Sequence, residues 1–514
     1  MAELPWWRSA VVYQIYPRSF AAEGVGGEAG VGTLEGVRRH LDHLVWLGVD
    51  ALWLSPFFRS PMADFGYDVS DHCDVDPIFG TLADFDRLLA DAHDRGLRVL
   101  IDWVANHTSD RHPWFVDSRS SRQSAHRRWY LWRDPSPGGG PPNNWRAAFG
   151  QDVPAWTLDP ATGQYYLHLF LPEQPDVDWS HRPLVEAMHD VLRFWLDRGV
   201  DGFRADAIHA IGKDPALADE PETLVGQPRS STNDHPSTHE LLREVRTLVD
   251  SYPDQRVMVG EVYLLETAKV APYYGEGDEL HLAFNFPPLY TPWEATAWRT
   301  RLEEVERHFV EVDAWPTWVL GNHDNPRPRT RYDSEARARA AAFLLLGLQG
   351  TPFLYAGDEL GLEDAVIAPE QAVDPGGRDG CRAPIPWDAS PDHGWARPPW
   401  LPWPPQAETR NVEVQRRDAG SILHLYRRLL AARRASPALS LGGSTILDHA
   451  PEGVLAWARD TPQDQRVVAV NFTGAARALS PGEGWAVEVS SDGHGEGEPW
   501  TGQLGADQAV VLRP

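Results

Sequence analysis

Three acidic side chains stand where apolar runs of this chain end: Asp206 after VDGFRA, Glu261 after VMVG and Asp324 at the close of TWVLGNHD. A buried run has no packing reason to end in a charge, and three carboxyl groups brought together can share acid/base and nucleophilic work. Arg204 and Asp206 are two residues apart, so on a strand both leave the same face, and the guanidinium is expected to hold the carboxylate ionised. A carboxylate nucleophile requires that state. Glu261 has Val257, Met258, Val259 and Val262 around it, and desolvation there is expected to raise its pKa toward that of a general acid. One ionised carboxylate beside one protonated carboxyl is the arrangement that cleaves glycosidic bonds. Taken singly, the Arg-Asp pair also fits a structural ion pair. His107 and His323 fit either satisfied core histidines or donors to sugar hydroxyls. His323 and Asp324 could begin a metal site, but no helical His pair or His/Asp cluster supplies further ligands, so no metal and no cofactor is expected.

These residues need a frame that carries several strand ends to one face. Eight short apolar runs recur: 10–16, 51–56, 97–104, 200–207, 257–262, 280–286, 317–324 and 351–357. Several are separated by helical periodicity, as with Leu34, Val37, Leu41, Leu44 and Leu47 before Gly48, or Leu82, Phe85, Leu88 and Leu89 before Gly96. No Gly-rich phosphate loop follows the first run, so the pattern predicts a closed (β/α)8 TIM barrel, an α/β fold, more than a doubly wound sheet. The stretch 340–357 is apolar but interrupted by Gln349, Gly350 and Pro352, and reads as a buried helix followed by a strand. Residues 107–182, including PSPGGGPPNNW, are too long for an ordinary βα loop and predict an inserted subdomain after strand three. From 438 onward, short alternating runs predict a C-terminal antiparallel β domain, leaving 1–106 and 183–437 to the barrel.

A net charge of −27 repels phosphate backbones, so nucleic acid and anionic membrane are excluded as expected partners while neutral small molecules stay open. Of the 47 basic residues, only Lys213 and Lys269 are lysine. Two cysteines, Cys73 and Cys381, cannot build a disulfide framework, and the N-terminus shows no signal-peptide pattern, so a cytoplasmic location is expected.

The motifs VYQIYPRSF, GVDALWLSPFFRSP, FGYDVSDH, DWVANHTS, QPDVDW, GFRADAIHA, GEVY, NHDNPR, GTPFLYAGDELG and RDGCRAPIPWD, in this order over nearly the whole chain, resemble the α-amylase superfamily in its α-glucosidase and oligo-1,6-glucosidase branch. The resemblance implies a retaining mechanism with Asp206 as nucleophile, Glu261 as acid and base, and Asp324 holding ring hydroxyls. It further implies sugar hydrogen bonds from His107 and His323, stacking by Tyr67, and closure of the pocket behind the terminal glucose by a pair of Asp64 and Arg382. Phe149 and Phe170 match aromatic rims, or else belong to the subdomain core. The implied substrates are maltose and short α-gluco-oligosaccharides cut from the non-reducing end. Ala207, after the nucleophile, leans the linkage toward α-1,4; a transglucosidase, a sucrose hydrolase, a trehalose-forming isomerase and an inactive transporter-subunit-like relative are the alternatives. Two positions depart from the pattern. The loop 21–36 lacks the oxygen ligands of a calcium site, and Asp178 stands where the branch carries Asn.

Overall fold

The computed structural model describes residues 4–22, 30–150, 152–220 and 232–514. Eight parallel strands form one sheet: β1 Val12–Ile15, β2 Ala51–Leu54, β3 Arg98–Val104, β4 Gly202–Asp206, β5 Val257–Gly260, β6 Leu282–Ala283, β7 Thr317–Val319 and β8 Thr351–Tyr355. Their order, β6-β5-β4-β3-β2-β1-β8-β7, is that of a barrel. The seam between β6 and β7 is bridged by a side chain: Thr317 Oγ1 donates to the Ala283 carbonyl at 2.7 Å and accepts from the Asn285 N–H at 3.3 Å. The fold is therefore a (β/α)8 barrel, with a three-stranded sheet after β3 and an antiparallel sheet at the C-terminal end.

Alternation along the strands sorts side chains between the barrel interior and the helices outside. Val12, Ala51, Trp53, Leu100, Val257, Val259, Val319 and Phe353 form an interior apolar cluster, while Leu52, Leu54, Val99, Ile101, Phe203 and Leu354 join the larger cluster that includes the helices. Above the interior cluster the inward positions turn polar, with Asp102, Arg204 and Asp206 all buried. Gly202 lets β4 and β5 approach, since a Cβ there would lie 2.2 Å from the Val257 carbonyl oxygen.

The periodic segment 34–47 forms two helices, Leu34–Arg39 and Leu41–Leu47, where one was expected. His40 causes the break, because its Nδ1 bonds the Gly36 carbonyl at 2.7 Å, the acceptor that an unbroken helix offers to the His40 N–H. The helix Leu82–Asp94 starts with a reciprocal Thr81–Asp84 capping box and buries Phe85, Leu88 and Leu89 as expected. The apolar stretch near 340 is the helix Glu335–Gly347, followed by β8. No helix among the described residues is long and apolar enough to cross a membrane.

The insert holds strands Trp132–Arg133, Gln164–Leu167 and Trp156–Asp159 over a cluster that includes Trp145, Trp156 and Leu169. At the other end, Gly443–Ile446, Val454–Thr461, Asp464–Asn471, Ala509–Arg513 and Ala486–Ser490 pair in that order as an antiparallel sheet. Asp178, the departure from the branch pattern, accepts at Oδ1 from the Ser180 N–H (3.0 Å) and hydroxyl (2.6 Å), fixing the turn that leads into helix Arg182–Asp197.

Candidate active site

Asp206 is the last residue of β4, and Glu261 follows β5 directly. The Glu261 N–H donates to the Ala205 carbonyl at 2.8 Å, so the ladder runs one residue beyond β5 and sets the two carboxylates side by side on neighbouring strands. Arg204 lies beneath both. Its Nη1 contacts Asp206 Oδ1 and Asp102 Oδ1, each at 2.6 Å, and its Nη2 contacts Glu261 Oε2 at 2.8 Å.

Sharing one guanidinium among three carboxyl groups changes the expected electrostatics. Burial pushes the Asp206 carboxyl upward, with Glu261 and Asp102 adding to the rise and Arg204 opposing it, so Arg204 alone does not secure the charge. Burial likewise pushes Asp102 up to about 6 against the same guanidinium. Glu261 does not sit in the purely apolar surroundings expected for it: Oε2 accepts from Arg204 and from the Ala207 N–H at 2.8 Å. Ala207 takes the left-handed conformation, φ 43° and ψ 35°, which aims that N–H across to the carboxylate.

Asp324 lies five residues past the end of β7, on a loop where Asn322 Oδ1 accepts from the Asp324 N–H and the Asn325 amide, both at 2.9 Å. Burial works against its charge, but Arg378, Arg382 and, in the acid range where its ring is protonated, His323 outweigh burial and hold the carboxyl well below the usual range. Oδ1 meets Arg378 Nη1 at 2.9 Å and Arg382 Nη2 at 3.0 Å. His323 is fully buried between the rings of Tyr16 and Tyr67, with centroid distances of 5.8 and 5.3 Å. Burial lowers its pKa to about 3, so it is neutral at pH 7. The Gln14 amide nitrogen at 2.8 Å donates to Nδ1, which leaves the ring proton on Nε2, 2.5 Å from the Tyr67 hydroxyl.

The expected pair of Asp64 and Arg382 does not form. Asp64 Oδ1 is held by Arg378 Nη2 at 2.6 Å, and Asp64 Oδ2 by the Gln174 amide at 3.0 Å. Arg382, at the end of the one-turn helix Asp379–Arg382, points under the site to the His323 carbonyl at 2.8 Å and to Asp374 Oδ1 at 3.2 Å. Arg378, one turn earlier, reaches up to Asp64, Asp324 and Asp374 together.

These groups surround a cavity of ≈ 390 Å³, within the size range of small-molecule sites. Of the residues named from sequence, Asp64, Tyr67, His107, Phe149, Phe170, Asp206, Glu261 and Asp324 line it; Arg204, His323 and Arg382 support it from behind. The rings of Phe149 and Phe170 are 6.1 Å apart, and Arg378 lies 4.9 Å from the centroid of Phe149. Sequence reasoning missed Arg378, His209, Arg146, Asn325 and the rim tyrosines Tyr263 and Tyr290, whose hydroxyls meet at 2.7 Å. Arg378, His209, Tyr263 and Asn325 carried a signal, lying inside the motifs RDGCRAPIPWD, GFRADAIHA, GEVY and NHDNPR, whereas Arg146 and Tyr290 carried none. Among the described residues no group of three or more His, Cys, Asp or Glu side chains could hold a metal ion. Within the loop 21–36, residues 23–29 lie outside the described residues.

Residues 14–442 match the model of the alpha-amylase catalytic domain. The chain is 44% identical over 477 residues to a probable alpha-glucosidase of Rhizobium meliloti (strain 1021), covering 85% of this chain and 84% of the relative. It is 34% identical over 526 residues to an oligo-1,6-glucosidase of Parageobacillus thermoglucosidasius, covering 92% and 91%. Among solved structures, an alpha-glucosyl transfer enzyme superposes with a TM-score of 0.91 at 40% identity over 100% of both chains. The trehalulose synthase of Pseudomonas mesoacidophila MX-45 gives 0.92 at 33% identity over 99% of this chain and 100% of that one. With a family model spanning most of its length and relatives matched nearly end to end, this chain belongs to the alpha-amylase family, in its α-glucosidase branch.

Proposed function

We propose that this glycoside hydrolase is a retaining exo-α-glucosidase that releases glucose from the non-reducing end of short α-glucosides, with α-1,4 linkages favoured. The observation that carries the reading is the placement of Asp206 and Glu261 side by side over Arg204. Adjacent strands lie ~4.7–4.9 Å apart, which suits the ~5–5.5 Å carboxyl separation of retaining enzymes and not the ~6.5–9.5 Å of inverting ones. Asp206 attacks the anomeric carbon and forms a glucosyl ester as the aglycone oxygen leaves with a proton from Glu261. Glu261 then takes a proton from water, which opens the ester and returns Asp206 as a carboxylate. Asp324, held anionic by two guanidinium groups, accepts hydrogen bonds from ring hydroxyls and favours the positively charged transition state. The Asp64–Arg378 pair closes the far end of the cavity, which supports exo cleavage. On this reading residues 107–182 form the subdomain that covers the site, and 438–514 a C-terminal β domain.

Two measurements test this. Polarimetry of fresh product should show glucose released as the α-anomer, and β-glucose would overturn retention. Maltoheptaose should yield glucose first; early maltotriose and maltotetraose would overturn exo action. A second reading, transfer of glucose to an acceptor sugar, is favoured by the likeness over the whole chain to the alpha-glucosyl transfer enzyme. Chromatography of products from maltose, isomaltose, sucrose and trehalose separates the two readings.

A further inference from the structure

Lys213 is one of two lysines in a chain with 47 basic residues, and its side chain is only 5% exposed. Its ammonium has three acceptors: Asp176 Oδ2 at 3.0 Å, Asn106 Oδ1 at 2.9 Å and the Ala210 carbonyl at 2.8 Å. An ammonium has three donors on one atom and satisfies all three acceptors from a compact hole. The flat, wider guanidinium used nearly everywhere else in this chain does not match that arrangement.

The consequence passes through Asn106. With Oδ1 committed to Lys213, its amide nitrogen must face the other way, where it donates to Asp176 Oδ2 at 3.1 Å and points at His107 Nδ1 at 3.3 Å. A donor facing Nδ1 is satisfied only if that nitrogen is bare, so the ring proton must sit on Nε2. There it meets the Tyr67 carbonyl at 3.2 Å. The opposite tautomer would also find partners if the Asn106 amide turned over: Nδ1–H would meet Oδ1, and Nε2 would accept from the Gln174 amide nitrogen, 3.1 Å away. The Asn106 orientation is thus what decides between two tautomers that the ring's other neighbours both allow.

We propose that Lys213 is a positioning residue: by holding both Asn106 Oδ1 and the Asp176 carboxylate that accepts from the Asn106 amide nitrogen, it fixes the Asn106 amide and thereby the tautomer of His107, so that this cavity-lining ring keeps its one N–H on Nε2, the side of Tyr67. The charged and titratable groups around the ring are Asp176 and Lys213, with His72 and Tyr67 beyond. Burial lowers His107 to about 4, Asp176 opposes the shift, and Lys213 adds to it. Loss of the lysine charge therefore leaves Asp176 uncompensated and moves protonation of His107 toward neutral pH.

The test is ring ¹⁵N–¹H correlation on the full chain labelled at histidine nitrogen, with the His107 signal identified by its loss in His107→Asn. The unmodified protein at pH 7 should show neutral His107 with the proton on Nε2. Lys213→Met should lose that pattern, and kcat/KM for maltose should fall ~10- to 100-fold with its acid limb moved to higher pH. Lys213→Arg keeps the charge and serves if the methionine variant fails to fold; it should disturb the ring signals without moving the acid limb. A proton on Nδ1 in the unmodified protein, or unchanged ring signals in the variant that folds, would overturn the proposal. The kinetic arm rests on the glucosidase reading and the spectroscopic arm does not, so inactivity of the unmodified enzyme on maltose would sink that reading and leave the tautomer assignment standing or falling on the spectra.

Discussion

Arg378 and Arg382 lie four residues apart on one turn, and their surroundings assign them different work. Arg378 lines the cavity with its side chain 14% exposed, whereas Arg382 is fully buried below the site. Arg378→Ala should leave Asp64 without its cation beside the substrate, a loss of up to ~3–5 kcal/mol or about two to four decades in kcat/KM, with a smaller fall in melting temperature than Arg382→Ala. Arg382→Ala should lower the melting temperature as well, because it empties a buried site that ties Asp374, Asp324 and the His323 carbonyl together. Kinetics and thermal melts of the two variants check this, and equal effects in both would reject it. His43 supplies a pH prediction. It is buried between helices, neither ring nitrogen has a hydrogen-bond partner among the described residues, and burial lowers its pKa to about 3. Its folded pKa lies below the unfolded value of ~6.5, so its cost to stability is absent above that pH and grows as pH falls toward 3, by at most ~1.4 kcal/mol per unit. His43→Leu should therefore show a melting-temperature advantage over the unmodified protein that widens from pH 7 to pH 4.5. A constant difference across that range would exclude His43 as the source.

At the scale of elements, one hydroxyl bridges the seam at which the barrel closes. The β6–β7 seam has no ladder of its own, and Thr317 Oγ1 stands in by serving Ala283 and Asn285. Thr317→Val keeps the shape but leaves a buried carbonyl and a buried N–H unmatched, and should cost ~1–3 kcal/mol in denaturant unfolding. A loss below ~0.5 kcal/mol would mean that the seam is held by packing alone. The two short strands beside the seam also show why their bounds were not legible. Runs 280–286 and 317–324 are apolar enough to read as full strands, yet Pro287 and Pro288 begin a 3-10 turn, and the Asn322 side chain turns the loop to present Asp324. Local side-chain bonding of this kind competes with strand pairing and leaves no periodic trace.

At the scale of the whole molecule, two buried arginines with no carboxylate partner among the described residues hold the end of helix Glu335–Gly347, Arg459 from the C-terminal sheet and Arg433 from helix Ile422–Ala435. Arg459 donates to the carbonyls of Gly347, Gly442 and Gly443, and Arg433 to those of Leu346, Leu439 and Gly350. Together they cap the C-terminal end of helix Glu335–Gly347, where cations are favoured. Arg459→Met should strip donors from the buried Gly442 carbonyl and the exposed Gly443 carbonyl and leave Gly347 to Trp457 Nε1 alone, lowering stability by ~1–3 kcal/mol per unmatched group that water cannot reach, while kcat on maltose stays within about twofold. A large fall in kcat with unchanged melting would show instead that this junction acts on the site.

The sequence by itself determined the strand order along the chain, the barrel class and the three carboxylates at the strand ends, because continuous apolar runs separated by helical periodicity and an acid ending such a run are local signals. It also placed Arg204 and Asp206 on one face, since two residues along a strand is a matter of backbone geometry. Which guanidinium meets Asp64, how many carboxyl groups share Arg204, and what surrounds Glu261 were decided only in the tertiary structure. Arg378 and Asp64 are 314 residues apart, and Arg204 and Asp102 are 102 apart. Contacts over such separations depend on how loops from different strands pack around one cavity, and the charge state of each carboxyl depends on burial and on neighbours that no local window contains.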